Sequence, residues 1–413
     1  MKVSFDHSKS NCVACRSFQF IQFYNSDRTV QFSKKETQNF RQNLECCYNC
    51  GLVRQEINST YSDANLANYY KHTFRTPIDP STLKGNDKRI QNARKRLQFI
   101  SKLKSTGTLL EVGFGDGVFL KVASNKFKCT GLDPSGNYEY LHNYLRQIGV
   151  DIFDKPLEQF SSDKKYDIVC SFLVLEHIKN PLAFIKLQIK HLTPKGFLIV
   201  EVPDIRNYSH FNSEALLTYE HLYHYCLESL SYLLSNLNLE LVLARNKNVS
   251  YGFSIIAAFK LVKKSRYNNP VINGFGVLKM FDDFFDLRER YRLGMSMALN
   301  TVINEAEKKK QSIAIYGTGF LFNYALDLCN LDIHKIKYLF DDTREKIGSL
   351  ISGVTIKPLA DLNVYRPDVV IIFSEVFFEA MKQNVLKIVG DRHMSFINIH
   401  HLSNEMYDRS NEV

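Results

Sequence analysis

The stretch Leu109–Leu120, LLEVGFGDGVFL, constrains this chain more than any other. An apolar run carrying Glu111 reads as a buried strand. Glycines follow at 113, 115 and 117, and then a run with helical spacing begins. Glycines so placed let the chain turn sharply and let a ligand approach the backbone with no Cβ in the way. A ligand there would sit at the carboxyl end of a strand, beside a helix N-terminus.

The surrounding sequence supplies the rest of such a sheet. Thr108–Gly113, Lys128–Asp133, Tyr166–Phe172 and Phe197–Val202 read as strands, with helices at Gly117–Ser124 and Pro181–His191. Gly252–Lys260 reads as a last strand, so residues 106–262 form an α/β domain with helices on both faces. Residues 263–310 hold an Asn-, Gly- and Pro-rich linker and one long helix, 277–310. A second, smaller α/β domain spans 311–403, with strands at Ser312–Tyr316, Lys337–Phe340, Val354–Ile356 and Val369–Phe373. It carries Gly317-Thr318-Gly319 and Asp341-Asp342, but Phe322 at the third fingerprint position argues against a redox NAD site. The polar tail, 404–413, is expected to fray.

Residues 1–60 are too short and polar to bury a large core. They hold Cys12-x-x-Cys15 and Cys47-x-x-Cys50, a tetrathiolate pattern for a structural zinc. Cys46 could replace Cys47 as a ligand. Residues 61–105 read as a connector with an aromatic cluster, Tyr69, Tyr70 and Phe74, and a basic helix over Asp87–Leu103.

The 413 residues are 45% apolar and 23% charged, which excludes a disordered or rod-like chain. No stretch nears the ~20 apolar residues that span a bilayer, and Met1–Asn11 has no secretory h-region. A cytoplasmic location is expected. The net charge of +10 lies wholly in residues 1–105, with 18 basic and 8 acidic residues; the other 308 carry 35 of each. Such a segment suits nucleic acid, an anionic membrane, a phosphorylated substrate, or plain solvation.

Glu111-x-Gly113-x-Gly115-x-Gly117 resembles motif I of class I S-adenosylmethionine (SAM)-dependent methyltransferases. The resemblance implies a Rossmann-like sheet, a glycine loop under the methionine part of SAM, and a ribose-binding acid at Asp133. It implies an adenine-side position at Glu158. KYDIVCSFLVLEHIKNP, Lys165–Pro181, resembles the family's fourth strand and following loop, which assigns Phe172 to the cofactor side.

A third stretch, Glu201–Leu234, packs Tyr219, Glu220, His221, Tyr223, His224 and Tyr225 into seven residues. His and Tyr beside a cofactor pocket suit acid–base work. The zinc segment, the methyltransferase core with its VPD…EH stretch and the second α/β domain together resemble sugar C-methyltransferases that act on nucleotide-linked keto-deoxysugars. The resemblance spans about residues 10–400. It implies proton transfer by Glu220-His221, and an imidazole with an ordinary pKa of about 6.5 suits His221 as base. The family's tyrosine two before the glutamate is Thr218 here, and Tyr219 stands one place later. Tyr219 or Tyr223 would donate to an enolate, and Tyr69 and Tyr70 would lie near the sugar. A carbon or a hydroxyl oxygen remains open as acceptor. The second α/β domain would either help bind the nucleotide-sugar or be purely structural. RNA ranks low as a partner, because no stacking platform is present.

Overall fold

The computed structural model describes residues 4–7, 10–33, 36–56, 80–134, 139–211, 217–218, 220–247, 252–266, 269–344, 346–374, 377–390 and 393–410. Two compact units divide the chain chiefly between Asp283 and Phe284, inside a long helix, and residues 33 and 36–38 group with the second unit.

The first unit holds two sheets. The smaller is built from β1 (Ser4–His7), β2 (Gln19–Ser33), β3 (Glu36–Cys47), β4 (Val53–Gln55) and, from far along the chain, β10 (Tyr223–His224). The larger has the order β11-β12-β9-β8-β5-β6-β7. These are β5 (Gly107–Val112), β6 (Phe127–Leu132), β7 (Asp151–Phe153), β8 (Tyr166–Phe172), β9 (Leu192–Pro203), β11 (Leu239–Arg245) and β12 (Ser254–Leu261). Five strands, β7 to β9, run parallel, and β12 enters antiparallel to both of its neighbours. The expected core strands are all present, and β7 and β11 join them at the two edges.

Alternation along the strands sends successive apolar residues to opposite faces. Leu110, Val169, Leu198 and Val200 pack with α4 (Pro181–Lys190) and α5 (Leu227–Ser235), and this core includes Cys12, Cys47, Cys50 and Leu52. Leu109, Ile168, Cys170 and Ile199 pack on the other side with α1 (Lys88–Ser101) and α2 (Val118–Ala123). Asp87 caps α1 by accepting from the Arg89 N–H, and Asn180 caps α4 ahead of Pro181. α3 (Glu139–Gln147) joins β6 to β7.

α6 (Gly274–Lys308) carries the unit boundary. In the second unit its later turns, from Tyr291 to Ala306, pack on a six-stranded sheet of order β15-β16-β14-β13-β17-β18. The strands are β13 (Ile313–Tyr316), β14 (Tyr338–Asp341), β15 (Leu350–Ile351), β16 (Val354–Pro358), β17 (Val369–Ile372) and β18 (Ser395–Asn398). α7 (Phe320–Leu328), α8 (Leu362–Tyr365), α9 (Phe378–Val389) and α10 (Ile399–Ser410) complete it. The tail expected to fray from 404 is helical to Ser410. Ile399 and Ser403 are buried, and Ser403 Oγ donates to the Ile399 carbonyl, which anchors the start of that helix. Among the described residues no helix is long and apolar enough to cross a membrane.

Candidate active site

The glycine loop joins β5 to α2. Gly113 takes φ +81°, and a Cβ there would stand 2.5 Å from Cγ2 of Val174, so only glycine fits. Gly115 also has positive φ, +54°, but a Cβ on it would meet nothing within 4 Å. The loop therefore arches over open space. Its shape is pinned by the Gly113 N–H donating to the Leu132 carbonyl (2.7 Å) and the Gly115 N–H donating to Asp133 Oδ2 (2.7 Å). Gly117 then begins α2. Asp133 directly follows β6 beside this loop, where a ribose-binding acid is expected.

Glu111 is buried, and its Oε2 has no hydrogen-bond partner among the described residues. Burial pushes its carboxyl well above the usual range, against the pull of Arg96. A buried carboxyl with an unsatisfied oxygen, beside a bare glycine arch, fits a cationic ligand whose charge would favour its ionised form. SAM, with its ammonium and sulfonium, is such a ligand, and Glu111, Gly113, Gly115, Gly117 and Asp133 would hold it. Phe172 ends β8 as part of the core, edge-on to Phe119 (4.8 Å) and under the Arg96 guanidinium (4.5 Å). Arg96 Nε donates to Glu201 Oε2 (2.6 Å), whose other oxygen accepts from Ser254 Oγ (2.6 Å). Glu158 is exposed on a short turn, Leu157–Gln159.

The expected acid–base stretch runs into a short strand. It is a turn, closed by the His221 N–H donating to the Thr218 carbonyl, that leads into β10. β10 pairs with β4, matching Tyr223 to Arg54 and His224 to Val53. His221 is buried, and its ring meets that of His177 edge to face, centroids 4.8 Å apart. His177 Nδ1–H donates to the Glu220 carbonyl (3.0 Å), which leaves Nε2 facing Glu176, 3.8 Å from Oε1. One ligand-type atom each of Glu176, His177 and His221 lies within 4.8 Å of the others. Glu176 and His177 have no role in the sequence reading, although both lie in the stretch that follows the fourth strand. Their position directly after β8, at the carboxyl edge of the sheet, is the available signal.

Tyr223 requires correction. Adjacent residues of a strand face opposite sides, and His224 takes the His221 side (6.2 Å between rings). Tyr223 instead stacks on Tyr225, and its hydroxyl donates to the Lys179 carbonyl (3.4 Å). Burial pushes its phenol up to about 12. It is not placed to donate to an enolate beside His221. Tyr219, Tyr69 and Tyr70 lie outside the described residues.

The four paired cysteines converge. Cys12 and Cys50 Sγ are 3.5 Å apart, Cys15 and Cys47 Sγ 3.4 Å, and all four lie within 4.8 Å of one another. Zinc–sulfur bonds of about 2.3 Å give a tetrahedron with edges of about 3.8 Å, so the set fits a tetrathiolate zinc. Without a cation, four such sulfurs cannot all ionise. Cys12, chiefly through its contact with Cys15, and Cys50, chiefly through Cys12, are both pushed far up. Cys46 Sγ turns away to the carbonyls of Cys47 and Gly274, so Cys47 belongs to the set.

The basic excess of the first quarter is partly spent inside the unit. Arg54 pairs with Glu45, Arg89 with Asp116, Arg96 with Glu201 and Lys104 with Asp167. The Arg96 pair ties α1 to β9, and Arg54 and Arg96, being largely buried, are withdrawn from any open anion-binding patch.

Residues 86–244 match the family described as "Methyltransferase domain", and residues 274–397 match "C-methyltransferase C-terminal domain". The second match begins at the first residue of α6. Among curated relatives, the ubiquinone biosynthesis O-methyltransferase of Rickettsia conorii (strain ATCC VR-613 / Malish 7) is 35% identical over 105 residues, 24% of this chain and 35% of the relative. The probable (S)-tetrahydroprotoberberine N-methyltransferase 2 of Papaver bracteatum is 27% identical over 150 residues, 35% of this chain and 39% of the relative. The chain thus spans little more than a third of the length of these relatives. Among solved structures, the N-methyltransferase NodS of Bradyrhizobium japonicum WM9 with S-adenosylhomocysteine aligns at a TM-score of 0.33 and 16% identity, over 41% of this chain and 87% of that one. Residues 86–244, within the first unit, thus match a methyltransferase domain.

Proposed function

We propose that this chain transfers the methyl group of SAM to a carbon of a nucleotide-linked keto-deoxysugar, with His221 as the base. The observation that carries this reading is the His221–His177 contact beside Glu176, in the unit that holds the glycine loop. Transfer to a hydroxyl needs one base. Transfer to carbon needs a base for the proton α to a ketone and a second group to hold the enolate oxygen. Two imidazoles 4.8 Å apart can supply both. The match of residues 274–397 to a C-methyltransferase C-terminal domain supports the carbon acceptor. The sugar is supported by the three-part layout of zinc segment, core and second α/β unit.

When bound, SAM supplies an electrophilic methyl group. His221 takes the α proton. The Glu220 carbonyl fixes the rotation of His177, and a protonated His177 Nε2 donates to the enolate oxygen while Glu176 stabilises the imidazolium. Alignment of the nucleophile with the methyl is worth about 7–11 kcal/mol in such displacements. The family resemblance alone assigns Tyr69 and Tyr70 to the sugar, and gives the second unit either nucleotide binding or a structural role. Cys12, Cys15, Cys47 and Cys50 hold a structural zinc. The other five cysteines are free thiols, which with a four-cysteine zinc site suits a reducing compartment such as the cytoplasm.

The test is mass spectrometry of a panel of keto-deoxysugar nucleotides incubated with enzyme and labelled SAM. A product heavier by one methyl group supports the reading, and no product across the panel sinks it. The second reading is a hydroxyl acceptor on a glycan or small molecule, favoured by the O-methyltransferase relatives. A methyl ether in the product, found by NMR, would establish it.

A further inference from the structure

The second residue of β10, His224, has no part in the chemistry above. The residue is 1% exposed. Nδ1 lies 2.8 Å from the hydroxyl of Tyr208. Tyr208 is itself fully buried, edge-on to Phe281 with centroids 5.8 Å apart. On its other side His224 meets His221 edge to face, at 67°. Tyr208, His224, His221 and His177 therefore form one unbroken run of rings.

Filling space does not account for an imidazole at this position. A buried apolar ring would pack without a polar penalty, whereas Nε2 of His224 finds no hydrogen-bond partner among the described residues. What the imidazole adds is the bond to Tyr208. That bond fixes the rotation of the ring, and with it the edge presented to His221.

We propose that His224, anchored by Tyr208, is a positioning residue for His221. The pair sets the rotation of the His221 ring and so the nitrogen that meets the substrate. The inference rests on the reading of His221 as base. Burial first, and then the neighbouring His221, hold His224 well below the usual imidazole range. A neutral His224 does not repel the imidazolium formed when His221 takes a proton.

The test uses full-length Tyr208→Phe, His224→Asn and His221→Asn. Each is assayed with labelled SAM and the keto-deoxysugar nucleotide giving most product in the panel. S-adenosylhomocysteine calorimetry counts competent molecules. Positioning predicts that Tyr208→Phe lowers kcat about tenfold per competent molecule, with KM values within about twofold of wild type. His224→Asn can still bond Tyr208 but offers no ring to His221. It should show the same loss, and it carries the test if Tyr208→Phe folds poorly. Wild-type kcat per competent molecule in both variants overturns the inference while leaving His221 as base. Wild-type kcat in His221→Asn overturns the base assignment, and this inference with it.

Discussion

The backbone N–H of Gln55 donates to the carbonyl of Leu222 at 2.9 Å, one residue from His221. β4 thereby holds the acid–base turn from one side. From the other, Leu222 N–H donates to the Glu176 carbonyl at 2.8 Å. β4 also pairs Val53 with Cys46, the neighbour of Cys47. The four-cysteine cluster and the candidate base are therefore tied through one short strand, although they lie far apart in sequence.

Zinc should consequently be needed for catalysis as well as for folding of the N-terminal segment. Full-length protein should hold one zinc per chain by elemental analysis, about one equivalent for a four-cysteine site. Cys47→Ser should lower that content and the turnover together. Cys46→Ser should leave both intact, because the Cys46 sulfur faces carbonyls rather than the cluster. A second metal equivalent lost in His221→Ala would instead place a cation among Glu176, His177 and His221.

The glycine loop should separate stability from cofactor affinity. Gly113→Ala sets a Cβ against Val174 and should lower the melting temperature. The Cβ of Gly115→Leu meets nothing within 4 Å, so the main backbone cost should be the left-handed penalty, about 1–2 kcal/mol. Its side chain would fill the arch, and affinity for S-adenosylhomocysteine should fall at least about tenfold. Unchanged affinity by calorimetry would move the cofactor elsewhere.

Features encoded locally are legible in the amino-acid sequence. The turn at Gly113–Gly117 follows from residues inside it, and two Cys-x-x-Cys pairs are local knuckles. The features that escape such a reading are long-range. β10 is only two residues long and owes its existence to β4. Nothing near Tyr223 signals that pairing, so the strand's register, and with it the turning of Tyr223 away from His221, is hidden. Glu176 and His177 look like the end of a strand loop until Glu220 closes on them. Cys46 and Cys47 are equivalent on paper, and only the fold turns one sulfur inward.

Carbon methylation predicts a partial reaction. With S-adenosylhomocysteine in place of SAM, the enzyme should exchange the substrate proton α to the ketone with deuterium oxide, as NMR would follow. His221→Asn should slow this exchange by about 10²–10⁴, the usual worth of a positioned base. Methylation without any exchange activity would point to a hydroxyl acceptor.

The second unit should show an acid transition traceable to Asp341. Burial alone would raise this carboxyl, but Thr318, Thr343 and Lys346 outweigh it and bring it down to about 2. The Thr318 N–H and hydroxyl both donate to Oδ2, at 2.8 and 2.6 Å. A carboxylate depressed in the folded state stabilises fully above its unfolded value, 3.8, and that stability is lost as the pH falls toward 2. The shift corresponds to about 2 kcal/mol. Asp341→Asn should therefore lose about 2 kcal/mol at pH 7 in denaturant unfolding. The gap to wild type should close between about pH 4 and 2, because the wild-type carboxylate is being protonated there. An Asp341→Asn deficit that stays constant over that range would show that lost packing at the Gly317-Thr318-Gly319 turn, rather than charge, is what the carboxylate supplies.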